Sequence, residues 1–428
     1  MTTRTGPVED RNSAAGGAPA AGRGAFAVLL AVTFLAFVDY AALLSVVPIW
    51  SAAGGASGIA VGTTTGAMMA ATVATQLAAP WLFRMLTLRT MIMTGAVLLG
   101  APTPLYLLSA DITPVLAITV VRGMGLALVV IAGATLVADL STGRELASRA
   151  SLFGVAAALP NLGALAGGVW IARTWGFPIV FWGSTLACLT GAVLAVLLPR
   201  GSRAHFRPAG PADAGRIAAP IALFALTAGS FGAVTTFLPV ALPDADTASW
   251  ALLAASIALV VARLGAGVTG DRFGAGRLLT VSVVSAAGGL ALAAVALATA
   301  HHALLLAGTT LLGAGFGACQ NDSFVLIVQR LGAARSGTAS TLWNIAYDGG
   351  LGIGAVALGW FVGSAGYSGA FLGMGVAIAL VSATVAMIGR RRRRHSGRGA
   401  SAAPVRHRPA RSSGIRADSG EQPRTRTR

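Results

Sequence analysis

Residues 267–277 read Gly-Val-Thr-Gly-Asp-Arg-Phe-Gly-Ala-Gly-Arg, a polar, glycine-rich loop lodged between two long apolar runs. About 190 residues earlier, residues 79–89 read Ala-Pro-Trp-Leu-Phe-Arg-Met-Leu-Thr-Leu-Arg, again between apolar runs. Arg84 and Arg89 stand at the same spacing as Arg272 and Arg277. Other features recur at nearly the same offset. Pro48 falls on Pro239, Gly125 on Gly315 and Arg144 on Arg335. Trp-Gly-Phe at 175–177, followed by Phe181, falls on Ala-Gly-Tyr at 365–367, followed by Phe371. One such match means little in a chain rich in Ala, Gly and Leu. Several in order at a near-constant offset indicate duplication.

Each copy holds six apolar stretches that approach the roughly 20 residues a helix needs to cross hydrocarbon. They are predicted at 26–50, 60–82, 90–109, 113–138, 147–171 and 178–198, then at 217–242, 248–269, 278–299, 303–328, 337–362 and 369–389. Parallel six-helix halves related by an axis along the membrane normal place a binding cavity between them at the midplane. The expected fold is an all-α integral membrane protein of twelve transmembrane helices in two pseudo-symmetric six-helix bundles. The bundles occupy 26–198 and 217–389 and are joined by an Arg-rich linker at 199–216. Residues 1–25 and 390–428 are expected to be disordered tails.

Composition agrees. The 428 residues are 55% hydrophobic and 11% charged, with a mean hydropathy of +0.76. A soluble chain of this length could not hide that much apolar surface. The net charge of +17 suggests nucleic acid until its distribution is read: 13 of the 31 basic residues lie between Arg390 and Arg428. Most others sit in short gaps between apolar runs, so nucleic acid is set aside. The pentad Arg390–Arg394, directly after the last span, suits anionic lipid of the inner leaflet. No cleavable signal peptide is expected, because the first apolar run already spans. Cys188 and Cys319 match no metal or redox spacing. All five histidines fall in loops or tails, which disfavours an intramembrane enzyme, and no cofactor or metal is expected.

Arginine collects in alternate loops. One set holds Arg84, Arg89, Arg144, Arg149, the linker arginines, Arg272, Arg277, Arg330 and Arg335; the other holds Asp111, Arg173, Asp244, Asp246, His301 and His302. The bias towards positive charge inside makes the first set cytoplasmic, with both termini on that side.

The loop at 267–277 resembles the cytoplasmic signature of the major facilitator superfamily, a Gly, three residues, then Asp-Arg-x-Gly with trailing basic residues. The likeness extends over roughly 26–389 and is nearest to bacterial drug and metabolite efflux members. It implies that Gly267, Asp271, Arg272, Gly274 and Arg277 gate the cytoplasmic side by pairing with neighbouring helix ends. In the first copy Phe83 stands where Asp is expected and Leu86 where Gly is expected, while Arg84 and Arg89 survive; Asp139 is the acid Arg84 could meet. Val121-Arg122-Gly-Met-Gly125 is similar to a family signature implicated in proton coupling. Gly154, Gly163, Gly167 and Gly168 are similar to the glycine motif of exporters, with Ala164 replacing its usual proline.

Ionisable residues inside spans cost about 2.5–3.5 kcal/mol on insertion scales, so they face a cavity, pair or titrate. Asp39 lies close to midplane, about 20 Å along its span at 1.5 Å per residue. It is read either as a proton carrier or as a paired carboxylate holding a helix contact. Arg122 is too deep to snorkel and needs an acid, Asp39 or Asp348. Asp348 shares a helical face with Ser340, Asn344 and Tyr347, a stripe that lines a wet cavity or bonds between helices. In Gln320-Asn321-Asp322-Ser323, Asp322 is expected to line the pathway. Arg263 is expected to snorkel to the headgroups. Pro160 and Asn161 mark a bend with one cavity-facing amide. Tyr40, Trp343 and Tyr347 would supply contact area for a largely apolar solute.

No Gly-x4-Gly-Lys-Ser/Thr nucleotide signature occurs. The expected function is a monomeric, proton-driven secondary transporter in the cell membrane that exports a small amphipathic organic molecule, with Asp39 and Arg122 as the coupling pair. Proton-coupled uptake of a metabolite and a non-transporting sensor are the alternatives.

Overall fold

A computed structural model describes residues 18–141, 145–200, 211–332 and 335–400. Among them all regular structure is helical. In the first half these are α1 (Ala18–Ala53), α2 (Ile59–Leu77), α3 (Ala79–Met85), α4 (Leu88–Gly100), α5 (Ile112–Leu140), α6 (Leu146–Ala158), α7 (Pro160–Thr174) and α8 (Phe177–Leu194). In the second they are α9 (Pro211–Ala241), α10 (Ala245–Phe273), α11 (Leu279–Thr299), α12 (His302–Leu331) and α13 (Ser336–Ala400).

The spans follow from how proline and glycine punctuate these helices. Pro80 and Pro160 sit at the starts of α3 and α7, where a missing N–H costs nothing, so α2–α3 and α6–α7 are each one bent span. Pro102 and Pro104 turn the end of the third span into the 3-10 segment Thr103–Leu108. Within α13 the helix breaks at Gly366, whose φ of 63° favours glycine, and this separates the eleventh span from the twelfth. Ten stretches are long and apolar enough to cross a bilayer by composition alone, one of them the 49-residue Gly337–Val385. Dividing that stretch at Gly366 and adding α2–α3 gives twelve. The second span falls short because α2 carries five threonines and Gln76. Thr64, Thr65, Thr72 and Gln76 are all buried, so that polarity faces protein.

The duplication is visible in the backbone. Gly176 and Gly366 both take positive φ at matching breaks, and Phe181 and Phe371 are fully buried just beyond them. Gly125 lets α5 cross α4, since a Cβ there would lie 2.6 Å from the Gly95 carbonyl oxygen. Gly315 does the same for α12 on α11, at 2.5 Å from the Ser282 carbonyl oxygen.

Within the first half α1 packs on α7 and α8, and α5 on α2 and α4; within the second, α12 packs on α10 and α11. The halves meet where α7 packs on α10 and where α1 and α2 pack on α9. The second and eleventh spans meet through small residues: a Cβ on Gly62 would stand 2.5 Å from the Ala355 carbonyl oxygen, and one on Gly359 would stand 2.7 Å from that of Gly58.

From Val385 the chain belongs to a separate unit, helical through the last described residue, Ala400. The helix expected to end near 389 therefore continues beyond the arginine pentad. The expected tails at 1–17 and 401–428, most of the linker and Arg144 lie outside the described residues.

A Cβ on Gly317 would collide with the Leu259 carbonyl of α10, whereas one on Gly373 meets nothing within 4 Å. Gly317→Ala is expected to cost about 1–3 kcal/mol as overpacking. Gly373→Ala is expected to be neutral or slightly stabilising. Thermal unfolding of the two purified variants side by side checks the difference.

Candidate functional site

Call the end of the molecule that carries residues 86–87, 141, 145, 198–200, 211, 274–278, 332 and 335 the linker end, and the opposite end the far end. Four polar assemblies lie between them.

The first is an ion pair inside the first half. Arg122 on α5 donates from Nη2 to Asp39 Oδ2 on α1 at 2.8 Å, with the two side chains 1% and 0% exposed. Arg122 Nε donates to the Leu99 carbonyl at 3.1 Å, and Nη1 approaches the Tyr106 hydroxyl at 3.4 Å. Tyr106 is fixed in turn by Thr119, 2.8 Å away. Asp39 Oδ1 is buried with no hydrogen-bond partner among the described residues. A small cleft between α1, α2 and α5 is lined by Pro48, Thr64, Thr65, Thr119 and Arg122. Of the two acids expected to serve Arg122, the structure brings in Asp39.

The second is the seam between halves. At its far-end side Ser45 Oγ donates to the Thr235 carbonyl at 2.8 Å, and Thr65 and Thr236 share a hydrogen bond of 2.8 Å. Nearer the far end, Trp170 Nε1 donates to Asp246 at 3.0 Å, and Arg173 donates to the carbonyls of Pro239 and Pro243. Beside them Asp244 caps α10, and the Thr247 hydroxyl and amide hold its carboxyl below the usual carboxylate range. Towards the linker end the series closes with Gln76 on α2, whose Nε2 donates to Asp348 Oδ2 at 2.7 Å. Beyond it α6, the linker-end part of the fifth span, packs on α1 and α5 of its own half, while α7 packs across on α10.

The third assembly lies in the second half, around Trp343 and Tyr347. Trp343 and Tyr347, both half-buried, stack on a ladder of rings that includes Phe224 and Phe316. Trp343 donates to Ser323 at 3.1 Å, and Asn344 donates to the Ser340 carbonyl one turn back, so that amide is satisfied along its own helix. Arg263 does not snorkel. Its Nη1 points inward to Gln320 Oε1 at 3.4 Å, and its Nη2 lies over Gly154 of the first half. Its depth in the span made the headgroup route look open; the glycine opposite is what admits it to the interior. Tyr40 is buried against the seam with an unbonded hydroxyl, and Asn161 bonds only to the Ala158 carbonyl behind it.

The fourth is the loop at 274–278. Asp322, expected on the cavity wall, instead receives the backbone N–H of Gly276 at Oδ1, 2.6 Å, and that of Leu278 at Oδ2, 2.9 Å. Gly274 and Gly276 take positive φ, which turns those amides towards the carboxylate. Asp271, Arg272 and Arg277 are exposed and make no ion pair among the described residues, nor do Arg84, Arg89 and Asp139. The expected pairing of these charges with helix ends is thus absent from this conformation. Gly267 only approaches Asn321. Phe83, standing in place of the acid, is buried with Phe26, Leu136 and Val137.

Sequence reasoning missed Gln76, Tyr106 and Thr119. Gln76 carried a usable signal, being the one amide in an apolar run. Tyr106 did not, because the proline-bent end of its span hides its facing.

Twelve spans in two matching halves, with polar groups turned onto the seam between them, are the architecture of a membrane transporter. The chain belongs to the Major Facilitator Superfamily, whose model matches residues 29–246 and 221–419. No curated protein matches it by sequence. Among solved structures it is similar to a nucleoside transporter, NupG, with a TM-score of 0.68 and 13% identity over 84% of this chain and 99% of that one. A bacterial homologue of the human lysosomal transporter Spinster, solved inward-facing and unoccupied, gives 0.68 and 13% over 87% and 97%. A POT family transporter in complex with a thioalcohol-conjugated peptide gives 0.66 and 12% over 86% and 96%.

Two outcomes follow from the geometry. Arg122→Leu strands the buried Asp39 and is expected to cost about 3–5 kcal/mol, read by unfolding of the purified protein. Asp322→Ala is expected to raise amide exchange at Gly276 and Leu278 by about 5–30-fold, the ratio that 1–2 kcal/mol corresponds to, with little change elsewhere.

Proposed function

We propose that this transporter exports a small amphipathic organic solute by alternating access, in exchange for protons, from a cell membrane in which both termini face the cytoplasm. The observation that carries the reading is the Asp39–Arg122 pair: an acid and a base sealed inside one half, with one carboxylate oxygen left unbonded. A proton settling on Oδ1 leaves the Arg122 bond at Oδ2 in place but cancels the charge that holds it. Arg122 then becomes an uncompensated buried cation, which the bundle can relieve only by repacking or by admitting water. The small cleft that Arg122 lines supplies the approach.

The arginine-rich loops lie at the linker end, which supports placing that end in the cytoplasm. The cross-half hydrogen bonds lie from the far end to mid-depth, which supports an inward-facing arrangement. The crevice wall offers stacked rings at Trp343 and Tyr347 beside one guanidinium, Arg263, whose described partner is a neutral amide. That combination suits a solute with a flat apolar part and a hydrogen-bond-accepting or anionic head. The Gly267–Arg277 loop is the gate in this reading, with Asp322 fixing its backbone so that Asp271, Arg272 and Arg277 can engage when the crevice closes.

Reconstitution in liposomes with an imposed pH gradient tests the reading, offering dyes, antibiotics, nucleosides and organic acids from either side. Flux against the solute gradient, driven by inward proton movement, is expected. Asp39→Asn should abolish the gradient-driven part while leaving exchange down a gradient. Arg263→Gln should raise the half-saturating concentration of solutes with anionic heads about tenfold or more, since a charge-assisted hydrogen bond contributes about 1.5–3 kcal/mol. Coupled flux that survives Asp39→Asn unchanged would remove Asp39 from the mechanism.

A further inference from the structure

Gln76 and Asp348 face each other across the seam, and their bond is incomplete. Gln76 Nε2 donates to Asp348 Oδ2 at 2.7 Å, and the residues are 2% and 5% exposed. The other end of the amide, Gln76 Oε1, is buried with no hydrogen-bond partner. An ionised carboxylate cannot supply one, because both of its oxygens only accept. A protonated carboxyl can: its O–H donates to Oε1 while its second oxygen keeps the bond from Nε2. The acid–amide pair then closes as a ring of two hydrogen bonds, one in each direction, with no net charge at the seam.

We propose that Asp348 is a second proton-binding site, separate from the Asp39–Arg122 pair, at which a bound proton clamps the second span to the eleventh and so holds the far end shut. This rests on the alternating-access reading and gives it a trigger. The groups that face Asp348 permit it. Tyr40 from α1 and Tyr347 from α13 lie beside it, and Arg263 from α10 acts electrostatically on Tyr347. Gln76 is the group from α2. From α9 the contacts with α13 include Phe224, Ala225, Ala228, Gly229 and Gly232, none of which titrates. No guanidinium is paired with Asp348 among the described residues, in contrast to Asp39.

The sign follows from linkage. The closed seam offers the protonated acid one more hydrogen bond than the ionised acid, so proton binding and closure favour each other. The clamp is complete in acid and is lost as pH rises, when a buried carboxylate with a single bond is left across the seam. Parting the second and eleventh spans lets water reach that charge. A proton arriving from the far side would therefore close the far end behind it and commit the carrier to face the linker end.

Spin labels on Ser57→Cys and Ser364→Cys, both exposed at the far end, report the opening without knowledge of the solute, and the native Cys188 and Cys319 are buried. Distances are read in lipid nanodiscs in steps between about pH 4 and about pH 8, so that a carboxyl titrating within that window shows as a transition. The open-to-closed ratio of the otherwise native protein is expected to rise about fivefold towards the higher pH, the factor that one hydrogen bond of about 1 kcal/mol gives. Asp348→Asn, whose amide can both donate and accept, should hold the ratio low and flat. Gln76→Leu should raise it about fivefold or more at the acid end. A native response in Asp348→Asn or an unchanged acid-end ratio in Gln76→Leu overturns the proposal. Two distance populations indifferent to pH would sink the clamp and leave alternating access standing; a single fixed distance in every sample would sink both.

Discussion

Inside a hydrocarbon slab no water completes a hydrogen bond, so every polar group on a spanning helix must find its partner on protein or lose several kcal/mol. The architecture follows from where those partners are found. Hydroxyls of Thr33, Thr75, Thr135 and Ser256 bond back to their own helix four residues earlier. Other polar groups reach between helices. Arg122 binds three elements at once, through Asp39, Leu99 and Tyr106. Asp322 binds a loop, and Gln76 binds the opposite half. Packing by glycine brings backbones close enough for these short reaches to succeed.

The same constraint makes the contacts within each half differ from those between them. Each half is cemented internally by rings, small-residue crossings and one dominant anchor: the arginine pair in the first half and the Phe224–Phe316–Tyr347 ladder in the second. Between them lie threonine hydroxyls, one amide–carboxyl contact and carbonyls at the rim. Bonds of that kind are individually worth about 1 kcal/mol, so the seam can open without disturbing either core.

Much of this was legible in the sequence, and the parts that were not share a cause. Span number and duplication could be read because Pro48 and Pro239, Gly125 and Gly315, and Gly176 and Gly366 mark backbone geometry, which a sequence records directly. The pairing of Asp39 with Arg122 was legible as a need: a deep arginine requires an acid, and few acids were deep enough. What could not be read was azimuth. Asp322 sits one residue from Asn321 and two from Gln320, and nothing in a one-dimensional run says which of them turns to the neighbouring loop. Arg263 was misread for the same reason, its depth permitting a headgroup contact while its facing, set by Gly154 across the seam, did not. Gln76 looked like an impurity in a weakly apolar span and turned out to be the partner of Asp348.

The two matching loops at the linker end have diverged in their physics. In the second half the loop is pinned from beneath by a carboxylate on backbone amides, and its outer face bristles with Asp271, Arg272 and Arg277. In the first half Phe83 has taken the place of the acid and is wedged among Phe26, Leu136 and Val137. Mobile ions weaken contacts between exposed charges and leave buried hydrocarbon untouched. The packing of Phe83 is thus indifferent to the surrounding electrolyte, whereas Asp271, Arg272 and Arg277 are open to it.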